Sequence, residues 1–146
     1  MQVRLANLID LSFTDTDGVA CSLFFQGCTF KCNGCHNPQF QDMKGGYIVD
    51  TDEIIKLISS RIHWYTSIAF LGGEPLFQEE AVLALAATFR SMGLETWLYT
   101  GFEADSLSTE VLDAFDVIVA GRFVQELKTG GFPSSSNQQI IDKRRN

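Results

Sequence analysis

The sequence predicts an α/β fold: an open, partial (β/α) barrel of parallel strands with helices outside. Short, wholly apolar runs of strand length recur along the chain, and segments with helical apolar spacing alternate with them. Each run is apolar throughout instead of every second residue, as expected for strands covered on both faces. Four such units are read, too few to close an eight-stranded barrel.

The first unit opens with "ACSLFFQ" (20–26), a strand. "DTDEIIKLISSRI" (50–62) reads as a helix, because Ile54, Ile58 and Ile62 recur every fourth residue and Asp50 with Glu53 makes an acidic N-terminal cap pattern. "SIAFL" (67–71) is the second strand, stopped by Gly72-Gly73. Glu79 to Met92 follows as a helix with Val82, Leu85, Ala86 and Phe89 on one face and Gly93 placed to end it. "ETWLYT" (95–100) is a third strand, "STEVLDAF" (108–115) a short helix aligned on Leu107, Val111 and Phe115, and "DVIVA" (116–120) a fourth strand. The remainder, "TGGFPSSSNQQIIDKRRN", turns to Gly, Ser, Asn and Gln and reads as a loop and polar tail over about 129–146.

At 146 residues the chain is expected to form one domain, 1–146. A net charge of −7 and a pI near 4.7 argue against a nucleic-acid partner, which would need clustered Lys and Arg. The one basic run, "DKRR" (142–145), reads as a solvated terminus. No signal peptide is visible, and the longest apolar stretch, "AVLALAA" (81–87), is far short of a membrane span. The expected location is the cytoplasm, where thiols stay reduced and a cysteine cluster means metal or redox chemistry.

That cluster is "GCTFKCNGCHNP". Cys28, Cys32 and Cys35 form C-x3-C-x2-C directly after the first apolar strand, where ligands of parallel α/β proteins gather. Three thiolates on one short segment suit a [4Fe–4S] cluster whose fourth iron takes an outside ligand. Zinc with His36 as fourth ligand is the competing reading, weakened because His36 adjoins Cys35 and neighbours rarely point at one ion; three incidental thiols are the bland one. Cys21 lies within the strand and reads as a buried structural thiol, and His63 as a surface residue at a helix end.

C-x3-C-x2-C after a first strand resembles the signature of the radical S-adenosylmethionine superfamily, and "GCTFKCNGCHNP" resembles its activators of glycyl-radical enzymes. "FLGGEPL" (70–76) is similar to the superfamily's glycine-glycine-acid motif. "WLYTGF" (97–102), "VIVAGRFVQELK" (117–128) and "SSNQ" (135–138) are similar to the activating component of class III anaerobic ribonucleotide reductase.

The resemblance implies a truncated radical S-adenosylmethionine barrel. It implies one [4Fe–4S] cluster on Cys28, Cys32 and Cys35, with S-adenosylmethionine chelating the open iron. Gly72 and Gly73 would bring backbone carbonyls to its ammonium, and Glu74 would contribute charge or orient that turn. Gly34 and His36, beside Cys35, would pass the adenine; Thr100 is a weaker candidate for the ribose or carboxylate, with a strand-end cap as its alternative. The implied partners are a glycyl-radical protein, above all the large reductase subunit, and an electron donor such as flavodoxin or ferredoxin. The rival readings are activation of a pyruvate formate-lyase type enzyme, radical chemistry on a small molecule, and a non-catalytic structural zinc or iron–sulfur module. Residues 134–138 are expected to close over the cofactor, grip the partner or serve as a solvated linker.

Overall fold

A computed structural model describes residues 1–27, 42 and 44–144. One seven-stranded sheet organises them: β1 (Gln2–Ser12), β2 (Ala20–Phe25), β3 (Tyr47–Asp50), β4 (Ser67–Gly72), β5 (Glu95–Thr100), β6 (Val117–Ala120) and β7 (Gln139–Asp142), in the order β3-β1-β2-β4-β5-β6-β7. The central strands β2, β4, β5 and β6 pair in parallel, while β1 with β3 at one edge and β7 at the other are antiparallel. The chain is thus a mixed α/β protein built round parallel strands.

Helices α1 (Thr51–Ser60), α2 (Glu79–Ser91) and α3 (Thr109–Ala114) pack on one face. Asp50 caps α1 by accepting from Asp52 N–H (2.9 Å), and Ser108 caps α3 by accepting from Val111 N–H (3.2 Å). Ile54, Ile58, Val82, Leu85, Phe89 and Val111 lie under these helices against Leu23, Phe25, Ile68, Phe70, Leu98 and Ile118 of the strands. Phe70 is the hub: its ring stands 6.0 Å from Phe25, 6.3 Å from Phe89 and 5.3 Å from Phe115. Alternate strand residues, Ala69, Trp97 and Val117 with Leu71 and Tyr99, form a smaller cluster on the far face. The helix-free face therefore carries side chains too, which is why the strands read as continuous apolar runs.

Three strands lie outside the sequence reading. β1 precedes the first predicted run and β3 lies just before the first predicted helix, and β1 carries a bulge between Leu5 and Asn7. The bulge moves the side-chain alternation by one: Leu5 pairs with Phe25 over the helices, whereas Ile9 pairs with Ser22 on the far face. β7 corrects the polar tail, because Gln139–Asp142 pairs with β6 and Ile141 packs on the main core. A strand added at an edge needs its backbone and one half-covered face, so a polar sequence suffices.

Within the basic run, whose Arg145 lies outside the described residues, Arg144 is not a freely solvated side chain. Arg144 ion-pairs with Asp142 (2.7 Å), Asp17 (2.6 Å) and Glu95 (3.2 Å) and lies 4.9 Å over the Trp97 ring, while Lys143 Nζ donates to Leu112 O. No helix among the described residues is long and apolar enough to cross a membrane.

Candidate active site at the strand ends

β4 closes on Gly72, and Gly73-Glu74-Pro75 turns away from the sheet. Gly72 has φ 115°, and a Cβ there would lie 2.5 Å from Phe25 N and 2.7 Å from Phe25 O. The two backbones touch, so only glycine fits. Beyond it Gly73 N–H donates to Phe25 O and Glu74 N–H to Gly27 O, each at 2.8 Å. The pairing of β2 with β4 thus continues past both strands, and Gly27 is the residue before Cys28. Cys28, Cys32, Cys35, Gly34 and His36 lie outside the described residues.

Glu74 is fully buried. Its carboxylate accepts from Leu76 N–H (2.9 Å), Thr100 Oγ1–H (2.9 Å) and Gly101 N–H (2.7 Å). Burial lifts its pKa to about 6, with the Gly101, Leu76 and Thr100 donors pulling the other way. Of the two roles expected for Glu74, these contacts support orienting the turn, since the chain's own donors engage both oxygens. Thr100 Oγ1 also accepts from Phe102 N–H (3.2 Å), so it caps the end of β5.

Gly72, Gly73, Gly101 and Gly121 border a cleft of about 1090 Å³ that extends along the helix-free face of the sheet. Ile9, Leu11 and Phe13 stand along it from the β1 side, and Phe132 from the other, where its ring lies 6.4 Å from Trp97 and 6.5 Å from Tyr99. Tyr99 Oη donates to Asp15 O (2.6 Å), and burial pushes the phenol pKa up. A volume at the upper end of small-molecule pockets (roughly 300–1,000 Å³) leaves room for more than a nucleoside-sized ligand.

The second wall joins two stretches that the sequence treats separately. Buried Ser135 accepts from Val124 N–H (3.2 Å), Asn137 Nδ2 donates to Arg122 O (3.0 Å), and Gln138 Nε2 donates to Gly121 O (2.9 Å). "SSNQ" is therefore the brace of "GRFV". It is not a solvated linker. Phe13, Tyr99 and Phe132 are cleft residues that sequence reasoning missed. Only Tyr99 left a signal, as the strand position alternating with Leu98.

The described residues beside the three-cysteine segment leave space next to it: Gly27, the residue before Cys28, is bonded to Glu74, which lines the cleft. Gly72, Gly73, Gly101 and Gly121 rim that cleft with bare backbone, which a ligand can approach closely. Cys21, the remaining thiol, is buried on the helix side, and desolvation pushes its pKa up to about 12; it stands apart as expected of a structural residue.

Residues 14–141 match the family described as a 4Fe-4S single cluster domain. The chain is 32% identical to the anaerobic ribonucleoside-triphosphate reductase-activating protein of Salmonella typhimurium, over 84% of this chain and 88% of that one. It is 28% identical to the pyruvate formate-lyase-activating enzyme of Clostridium pasteurianum, over 80% of this chain but 50% of that enzyme. The fold is similar to that of QueE from Escherichia coli, with a TM-score of 0.60 at 14% identity, covering 82% of this chain and 70% of that one. With these matches spanning most of its length, the chain belongs to the 4Fe-4S single cluster domain family and, within that likeness, to the anaerobic ribonucleoside-triphosphate reductase-activating proteins.

Proposed function

We propose that this protein activates an anaerobic ribonucleotide reductase by generating a glycyl radical on it, using one [4Fe–4S] cluster and S-adenosylmethionine. Cys28, Cys32 and Cys35 hold the cluster. Gly72 and Gly73 receive the amino-acid part of S-adenosylmethionine on their backbone, Glu74 orients that turn, and Gly34 and His36 pass the adenine. When bound, these groups supply one-electron reductive chemistry that ends in removal of a hydrogen from the partner's glycine Cα. The chain's own residues bind, orient and exclude water.

The observation that carries this reading is the 2.8 Å hydrogen bond from Glu74 N–H to Gly27 O. It brings Gly27, the residue before Cys28, against the glycine-glycine-acid turn, from which it is separated in sequence by a helix and two strands. Support for a macromolecular substrate comes from the open cleft, whose lip exposes Leu11 (45%), Phe13 (70%) and Phe132 (56%). A reductase is favoured over a pyruvate formate-lyase type partner because the chain matches 88% of the reductase activator but half of the lyase activator. In this reading residues 1–146 form one partial (β/α) barrel domain working in the cytoplasm, with flavodoxin or ferredoxin as electron donor.

The test is electron paramagnetic resonance on anaerobically reconstituted, dithionite-reduced protein. A [4Fe–4S]+ signal that changes on adding S-adenosylmethionine is expected, together with loss of cofactor cleavage on replacing Cys28, Cys32 or Cys35 by Ala. Bound zinc with no such signal would remove the proposed catalysis.

A further inference from the structure

Three polar side chains far apart in sequence converge on the backbone on both sides of the segment 28–41. Gln26, 5% exposed at the end of β2, donates from Nε2 to Asp42 O at 2.7 Å. Arg4 of β1 donates from Nη1 to Lys44 O (3.2 Å) and Gly45 O (3.1 Å). Gln78, just past the glycine-glycine-acid turn, accepts from Arg4 N–H (2.8 Å) and donates from Nε2 to Arg4 O (2.9 Å) and Gln26 O (3.4 Å). Gln26 N–H donates to Arg4 O as well (3.1 Å).

The packing around these bonds is close. A Cβ on Gly45 would lie 2.5 Å from Gln26 Nε2, and one on Gly46 (φ +71°) 2.3 Å from Leu5 O. Gln78 thereby takes the place of a strand neighbour for Arg4, since its one amide serves both the N–H and the C=O of that residue. All of these side chains bond to main chain that leads into or out of the cysteine-bearing segment.

We propose that Arg4, Gln26 and Gln78 are positioning residues for the cluster: a clamp that ties together the backbone on the two sides of the segment 28–41, Gln26 before it and Asp42, Lys44 and Gly45 after it, before any metal binds. The inference rests on the reading of Cys28, Cys32 and Cys35 as cluster ligands. Three thiolates on a segment with free ends must surrender its conformational freedom when they meet on one metal group, and fixed ends remove part of that cost beforehand. Losing the clamp should therefore weaken retention of iron more than it weakens the fold. Losing the two hydrogen bonds that Gln78 gives and takes at Arg4 should make iron loss roughly tenfold faster.

The experiment compares reconstituted wild-type protein with Gln78→Met and Gln26→Met, each of similar volume and without the amide. Iron release to a colorimetric chelator under anoxic conditions is timed, and thermal unfolding of the metal-free chains is recorded alongside. The expected result is roughly tenfold faster release from both variants with metal-free unfolding midpoints within a few degrees of wild type. Release at the wild-type rate would overturn the clamp. Faster release accompanied by a proportionate fall of the metal-free midpoint would overturn it too, making these residues part of the general scaffold. Failure of wild-type protein to take up iron would instead strike the cluster reading itself.

Discussion

Glu74 and Thr100 meet across the ends of neighbouring strands β4 and β5, the Thr100 hydroxyl donating to the Glu74 carboxylate at 2.9 Å with both side chains buried. The same carboxylate holds Gly101 N–H, so one acidic side chain sets the spacing of two glycine turns at the rim of the cleft.

Burial raises the Glu74 carboxyl from its ordinary 4.5 to about 6 in the folded protein. Between those values the native chain binds more protons than the unfolded one, so this group's contribution to stability is full at low pH and is lost as pH rises through about 6. The loss is about 2 kcal/mol by neutral pH. Glu74→Gln should remove that pH dependence while costing about 1–3 kcal/mol for a backbone donor left unpaired. Denaturant unfolding of both proteins from about pH 4 to about pH 7 measures it, and a wild-type to variant difference that stays constant with pH would refute the account.

Gly72 and Gly93 both have positive φ (115° and 86°), yet their replacement by Ala should differ sharply. At Gly72 a methyl would drive into the Phe25 backbone, while at Gly93 nothing lies within 4 Å. Gly72→Ala should cost about 2–5 kcal/mol, combining backbone strain with overpacking. Gly93→Ala should cost about 1–2 kcal/mol from the left-handed backbone alone. Equal losses in chemical denaturation would contradict the close approach of β2 and β4.

Phe13, at the lip of the cleft, offers a way to separate cofactor cleavage from action on the partner. Phe13→Asp should leave dithionite-driven cleavage of S-adenosylmethionine within about twofold of wild type and lower the yield of glycyl radical on the reductase about tenfold, as for an apolar contact turned into a buried charge. Radical yield measured by spin counting at limiting partner decides the matter. An unchanged yield would take this lip out of the interface.

Arg144 joins Asp142, Asp17 and Glu95 and covers the Trp97 ring, so Arg144→Ala should expose that ring. The exposed ion pairs add little, and the ring contact and pairs together amount to about 1 kcal/mol. The expected signs are a red-shifted component in tryptophan emission and a stability loss that shrinks in high salt. An unshifted spectrum would mean that the Arg144 contact does not persist in solution.

The alternation of apolar strands and amphipathic helices was legible in the sequence because central parallel strands are covered on both faces and helices bury one stripe. Ala20–Phe25, Ser67–Gly72, Glu95–Thr100 and Val117–Ala120 all occur close to where their apolar runs place them. The edge strands were not legible. β7 is recruited by the unpaired edge of β6, and the alternation of β1 is reversed by its bulge, neither of which leaves an apolar run.

The same division holds for the site. The sequence by itself supplied the candidate donors, three cysteines at that spacing and a glycine-glycine-acid stretch, and the resemblance they carry, because residue type and spacing do not depend on how the chain folds. Tertiary structure alone decided that Gly27 touches Glu74, that Glu74 is bound by Thr100 and Gly101, and that "SSNQ" braces "GRFV". Those contacts are side-chain and backbone hydrogen bonds between residues distant in the chain. Their polar residue types suit solvent equally well, and only packing at the strand ends takes the solvent away.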